Sequence, residues 1–173
     1  MKYILDFDRT LFDTDLFIKQ VVADGHQETL MTPKIWDQYA VIDFLYPDVF
    51  PWLSTKQTKD LHILTAWTPG YGLQAEAMQQ KKLTAANLES LVAAITFISG
   101  DKGKPAAKIA SQFPPQETVV FVDDRIENCL SVKQNLPNSV TCLMVRNPEI
   151  VSEIPVIPVV HTLYDIDAMI GSL

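Results

Sequence analysis

The chain has 173 residues, 47% of them hydrophobic, which suits one globular domain and excludes a disordered chain. Its formal net charge is −7, with Lys and Arg scattered and no basic run, which argues against a nucleic-acid polymer or an anionic membrane surface as partner. The longest apolar run, Leu91 to Ile98, contains Thr96 and is too short to span a bilayer, and the N-terminal run Tyr3 to Leu5 is cut short by Asp6 and Asp8, so no secretory signal is expected.

In chain order, Tyr3 to Phe7 is a short apolar run beside Asp6 and Asp8. Leu16 to Ala23 and Ile35 to Leu45 have helical patterns, separated by a polar stretch with Gly25 and Pro33, and Pro47 and Pro51 close that segment. No strand pattern occurs between Phe12 and Asp60. A second apolar run, Leu61 to Leu64, ends at Thr65, and Leu73 to Lys82 reads as a helix. The third run, Ala93 to Ile98, stops at Ser99 and Gly100; Lys104 to Phe113 then reads as a helix with Pro105 near its first turn. The fourth run, Thr118 to Val122, is followed by Asp123, and Asp124 is placed to cap a helix over Arg125 to Gln134. Val140 to Val145 is a fifth run. Cys129 and Cys142 are too few for a disulfide framework and are expected as reduced core residues of a cytoplasmic protein.

Short, continuous, β-branched runs suit strands buried on both faces of a parallel sheet. Their alternation with helices predicts a doubly wound, Rossmann-like α/β fold. It occupies a single domain, residues 1–173, with a small helical cap inserted after the first strand at residues 14–48. Ligands of such folds sit beyond the carboxyl ends of the strands. The informative residues are therefore those that follow the apolar runs.

Four polar sites do so in order. The first strand ends in DFDRTLFD (Asp6 to Asp13), the second in LHILTAW with Thr65, the third precedes Lys102 and Lys104, and the fourth ends in FVDD with Asp123 and Asp124. Each alone is an ordinary strand-end or loop residue. Together they resemble the haloacid dehalogenase (HAD) superfamily, whose signature is Asp-x-Asp-x-Thr after a first strand, Ser or Thr after a second, a lysine, and an acidic pair after a fourth. The resemblance runs from Lys2 to about Asn128 and leaves the insertion unmatched.

The resemblance implies a phosphohydrolase with Asp6 as nucleophile. A carboxylate attacking phosphorus forms an aspartyl-phosphate and splits one difficult step into two. Two anions need a counter-charge, and the resemblance implies Mg²⁺ held by Asp6, the backbone carbonyl of Asp8 and the carboxylate of Asp123. Asp8 would exchange the proton with the leaving-group oxygen and then the water. True dehalogenases lack this second aspartate because halide departure needs no proton. Thr65 would bind a phosphate oxygen and a lysine would neutralise charge. Lys104-Pro105 resembles the pair in phosphoglycolate-type members, but KGKPAAKIA followed by TVVFVDD matches phosphoserine-phosphatase-like spacing and favours Lys102. Arg9 stands where many relatives have glycine. A phosphomutase or phosphotransferase would use the same residues, whereas a silent HAD-like binding or regulatory module would be favoured by loss of Asp6, Asp8 or the acidic pair, all of which are present. The expected substrate is a small phosphorylated molecule, with nucleotide, sugar phosphate and phosphoprotein all open, as is the oligomeric state.

The remaining candidates read as structural. His26, His62 and His161 lack metal-ligand spacing, and Gly100 to Lys104 lacks the glycine spacing of a phosphate loop. Trp67 and Tyr71 are placed either at the entrance or in the core, and Trp36 and Tyr39 as packing residues of the insertion.

Overall fold

The computed structural model describes residues 1–30, 32–72, 74–147, 149 and 157–171. β1 (Lys2–Leu5) and β4 (Val119–Asp123) are buried along their whole length, and β2 (Leu61–Trp67) over its first five residues. A strand covered on both faces needs apolar side chains at nearly every position, hence continuous rather than alternating runs. With β3 (Ala94–Ser99), β5 (Val140–Met144) and the two-residue β6 (Val159–Val160), they make one parallel sheet in the order β3-β2-β1-β4-β5-β6. The chain winds from β1 outward to β3 and then returns to place β4 on the other side of β1. The order thus reverses between β1 and β4, where doubly wound sheets open a crevice beyond their carboxyl ends.

Helices cover both faces. Ile4, Leu64 and Phe121 pack against α4 (Gly103–Ala110) and α5 (Ile126–Asn135) through Ala106, Ile109, Cys129 and Val132. On the opposite face Tyr3, Leu5 and Ile63 share a core with Phe17 of α1 (Thr14–Ala23), Trp52 of α2 (Val49–Ser54), Leu83 of α3 (Ala75–Ala85) and Ile166 of α6 (Leu163–Ile170). Leu73, expected to begin the third helix, lies outside the described residues. Cys129 and Cys142 are buried free thiols. No helix among the described residues is long and apolar enough to cross a membrane.

The segment between β1 and β2 departs from its pattern. Asp13 caps α1 by accepting from the Leu16 N–H at 2.9 Å, but Ile35 to Leu45 is not one α-helix. Pro33–Asp37 and Val41–Phe44 are separate 3₁₀ turns, parted by Ala40 in extended backbone at ψ 106°. Burial decides this: Trp36 stacks on Phe17 at 4.6 Å and meets Phe12 edge-on at 6.2 Å, contacts a continuous helix would not serve. Pro51 does not close the segment; it sits in the first turn of α2, where its missing N–H has no partner to lose.

Two features hold the loop after β1. Arg146, just past β5, donates from Nε at 3.0 Å and Nη2 at 2.6 Å to the Thr10 carbonyl, and from Nη1 at 2.7 Å to Asp48. The Phe7 carbonyl accepts from the N–H groups of Thr10, Leu11 and Phe12. The loop that carries Asp8 is therefore fixed from both sides.

Candidate active site

Asp6 directly follows β1, and its N–H donates to the Val122 carbonyl at 2.9 Å, which carries the sheet ladder one residue further. Its side chain is buried, 5% exposed. The chain then turns sharply with Arg9 at φ 56°, in the left-handed region that glycine occupies at no cost and other residues at roughly 1–2 kcal/mol. Arg9 turns its guanidinium to Asp15 on α1, with Nη2 at 2.8 Å from the carboxylate.

Asp123 ends β4. Its Oδ1 accepts from the Arg125 N–H at 2.9 Å, and the Asn128 amide donates to both of its oxygens at 3.0 and 3.1 Å. Asp123 rather than Asp124 thus serves the start of α5, and Asp124 is left to the site. Carboxylate oxygens of Asp6, Asp123 and Asp124 lie within 4.8 Å of one another.

Lys102 precedes α4 and is 1% exposed, whereas Lys104, two residues on, is exposed. The Lys102 ammonium donates to Asp6 and, at 2.7 Å, to Asp123. Gly103 makes this placement possible: a Cβ there would meet Ser131 Oγ at 2.3 Å and the Ser131 carbonyl at 2.8 Å, so only glycine lets α4 start against α5. Asp101 secures the same corner by accepting from the Gly103 N–H at 2.9 Å and the Ser131 hydroxyl at 2.8 Å.

Three carboxylates facing one ammonium leave an excess of negative charge in a buried place. Burial pushes the Asp6 carboxyl well above its usual range; Lys102 opposes this, while Asp123 and Asp124 add to it. Burial, and then Asp123, push Asp124 up to about 6. Burial would lower Lys102, but Asp6 and Asp123 outweigh it and raise its pKa. An all-oxygen anionic donor set short of positive charge fits a hard cation such as Mg²⁺. Among the described residues this is the one group of three metal-ligating side chains close enough to share an ion.

The Asp8 carboxylate faces α1 and α3 instead. Oδ1 accepts from Thr14 Oγ1 at 2.9 Å and from the Lys82 ammonium, and Oδ2 accepts from Gln79 Nε2 at 2.7 Å. Burial alone would raise its pKa, but the Lys82 charge and these hydrogen bonds carry it below the usual value. Gln79 also donates to Thr65 Oγ1 at 2.8 Å. Thr65 is 1% exposed and lies beneath Gln79 rather than on the cavity wall. The Lys82 ammonium sits over the rings of Phe12 at 4.9 Å and Phe7 at 5.3 Å.

Between these groups opens a cavity of about 310 Å³. Its charged end carries Asp6, Asp8, Asp123 and Asp124, and its other wall is formed by Ile18, Leu30, Trp36, Trp67 and Met78. Trp67 therefore lines the cavity; Trp36 does so too, though it is 8% exposed and packed among aromatic rings. Gln79, Lys82 and Asn128 were not singled out by any sequence motif. For Gln79 and Lys82 the one sequence signal is weak: with Ala75 and Leu83 they make an inward helical stripe in which two members are polar.

No family model matches the chain, and no curated protein matches it in sequence. Solved structures do match over nearly its whole length. A protein from Burkholderia xenovorans described as haloacid dehalogenase-like hydrolase superposes with a TM-score of 0.68 at 16% identity, covering 98% of this chain and 96% of that one. A haloacid dehalogenase-like family hydrolase from Xanthomonas campestris gives 0.62 at 13% identity over 100% and 99%. A dehalogenase crystallised as an intermediate complex gives 0.63 at 14% over 97% and 96%. The chain has the fold of the haloacid dehalogenase-like hydrolases.

Proposed function

We propose that this protein is a HAD-superfamily phosphomonoester hydrolase that depends on Mg²⁺, with Asp6 as nucleophile and Asp8 as general acid and base. The observation that carries the reading is the contact of Lys102 with both Asp6 and Asp123 at the topological switch point, with Asp124 completing a three-carboxylate cluster. Mg²⁺ held by Asp6, Asp123 and Asp124 would supply the positive charge that lets an anionic ester approach an anionic nucleophile.

The chain's own residues account for the rest. An Asp6 oxygen attacks phosphorus as the bond to the leaving oxygen breaks, and Asp8 gives that oxygen a proton. A water then attacks the phosphorus of the aspartyl-phosphate, the bond to Asp6 breaks, and Asp8 takes the water's proton. Lys102 offsets the negative charge on Asp6 throughout. In its resting state Asp8 is held ionised by Lys82, the form the second step needs. Its proton for the first step can arrive with a monoanionic ester. A cavity of about 310 Å³ with an apolar wall suits a small ester with an apolar portion.

Two of the similar structures are dehalogenases. Asp8 favours phosphoryl transfer, because carbon–halogen cleavage leaves a proton donor without a task. The test is turnover of an aryl phosphate with Mg²⁺. Asp6→Asn should lose roughly 10³-fold or more in kcat, as expected for a residue acting in the chemical step, while keeping the wild-type melting temperature. Undiminished phosphatase activity in that variant, or halide release from a haloacid without any phosphatase activity, would overturn the reading.

A further inference from the structure

We infer that Gln79 is a positioning residue, which transfers the fixed position of Thr65 to Asp8 and leaves Oδ2 of Asp8 as the oxygen that exchanges the proton. The inference rests on the reading of Asp8 as general acid and base.

Gln79 lies on the inward stripe of α3, a place where packing calls for an apolar side chain, and it is 5% exposed. Its amide nitrogen donates twice, to Asp8 Oδ2 at 2.7 Å and to Thr65 Oγ1 at 2.8 Å. A carboxylate only accepts, so the nitrogen must face Asp8, and both amide hydrogens are then spent. Thr65 belongs to a buried central strand, paired with Phe97 of β3, which makes its hydroxyl a fixed anchor. Gln79 reaches the cavity wall; Thr65 does not. The link therefore runs from the sheet through Gln79 to the acid/base.

The two oxygens of Asp8 are not equivalent. Oδ1 already accepts from Thr14 and Lys82, whereas Oδ2 accepts from Gln79 alone. A carboxylate oxygen offers about two lone-pair sites. Oδ1 is thus filled, and Oδ2 keeps one site for the proton while Gln79 fixes where that site points. Removing the amide frees Oδ2 without touching Asp6, Lys102 or the carboxylate cluster.

The experiment compares Gln79→Met, which keeps the side-chain length and lacks the donors, on two esters in Mg²⁺. Phenyl phosphate has a leaving group that needs a proton, and 2,4-dinitrophenyl phosphate has one that does not. The expected loss in kcat/KM is roughly 10- to 100-fold on phenyl phosphate, part of the ~10²–10⁴-fold that a positioned proton donor contributes, and under about threefold on the dinitrophenyl ester. In an Asp8→Asn background the same change should cost less than about twofold, because the two residues act as one unit. Gln79→Leu carries the comparison if Gln79→Met does not keep the wild-type melting temperature. Equal losses on the two esters, or an undiminished loss in the Asp8→Asn background, overturn the inference while the proposed function stands. A wild-type protein that turns over neither ester overturns the proposed function and this inference with it.

Discussion

Replacing Lys102 with Met removes the ammonium that contacts both Asp6 and Asp123 and keeps most of the buried volume. Three carboxylates within 4.8 Å of one another would then face, among the described residues, no cation that touches two of them. Removing one partner of a buried ion pair costs about 3–5 kcal/mol, because the charge left behind stays desolvated. For a domain of this size each kcal/mol moves the melting temperature by about 2–4 °C, so the metal-free variant should melt about 6–20 °C lower. Lys104 is exposed on α4, and Lys104→Met should stay within about 0.5 kcal/mol of wild type. Thermal unfolding of both variants in chelator reads the difference. Activity should follow the same order, with Lys102→Met at least about tenfold below Lys104→Met in kcat, or about 1.4 kcal/mol. A Lys102→Met protein that melts with wild type would refute the argument that the carboxylate cluster depends on that ammonium.

The carboxylate cluster should bind divalent cations measurably in the absence of substrate: Mg²⁺ at 100 times its Kd should add about 2.7 kcal/mol of stability, Asp124→Asn should shrink the shift, and no shift at millimolar Mg²⁺ would remove the metal site. Asp165, which accepts from the His161 and Thr162 N–H groups at the start of α6, has its carboxyl below the usual value despite partial burial that opposes this. A depressed acid stabilises the fold above its unfolded pKa of about 3.9 and loses that contribution as pH falls through the native value. Asp165→Ala should therefore cost roughly 1 kcal/mol at neutral pH, as for loss of a cap, and its gap from wild type should close in strong acid. A gap of equal size at both pH values would show that the carboxylate charge is not involved.

The sequence by itself determined the sheet and half of the site. β1, β2, β4 and β5 were legible because a strand buried on both faces must be apolar along its length, β3 because this partly buried edge strand is apolar as well, and Asp6, Asp123 and Lys102 because they stand where such runs end. β6 was not, since two residues, Val159 and Val160, carry no period, although Thr162 and Asp165 beside it do spell a capping box. Nor were the 3₁₀ turns around Trp36, whose shape is decided by the aromatic rings they must bury. Asp124 read as a helix cap, but the N-cap of α5 is Arg125, with no side-chain cap, and only the tertiary structure turned Asp124 toward the site. The partners of Asp8 lay furthest from view. Lys82 and Gln79 follow it by 74 and 71 positions, on a helix whose sequence shows no clean apolar stripe. A strand end is a local property of the chain. Which side chain of α3 meets Asp8 depends on how that helix rotates and docks on the sheet, and the packing of the whole face fixes that.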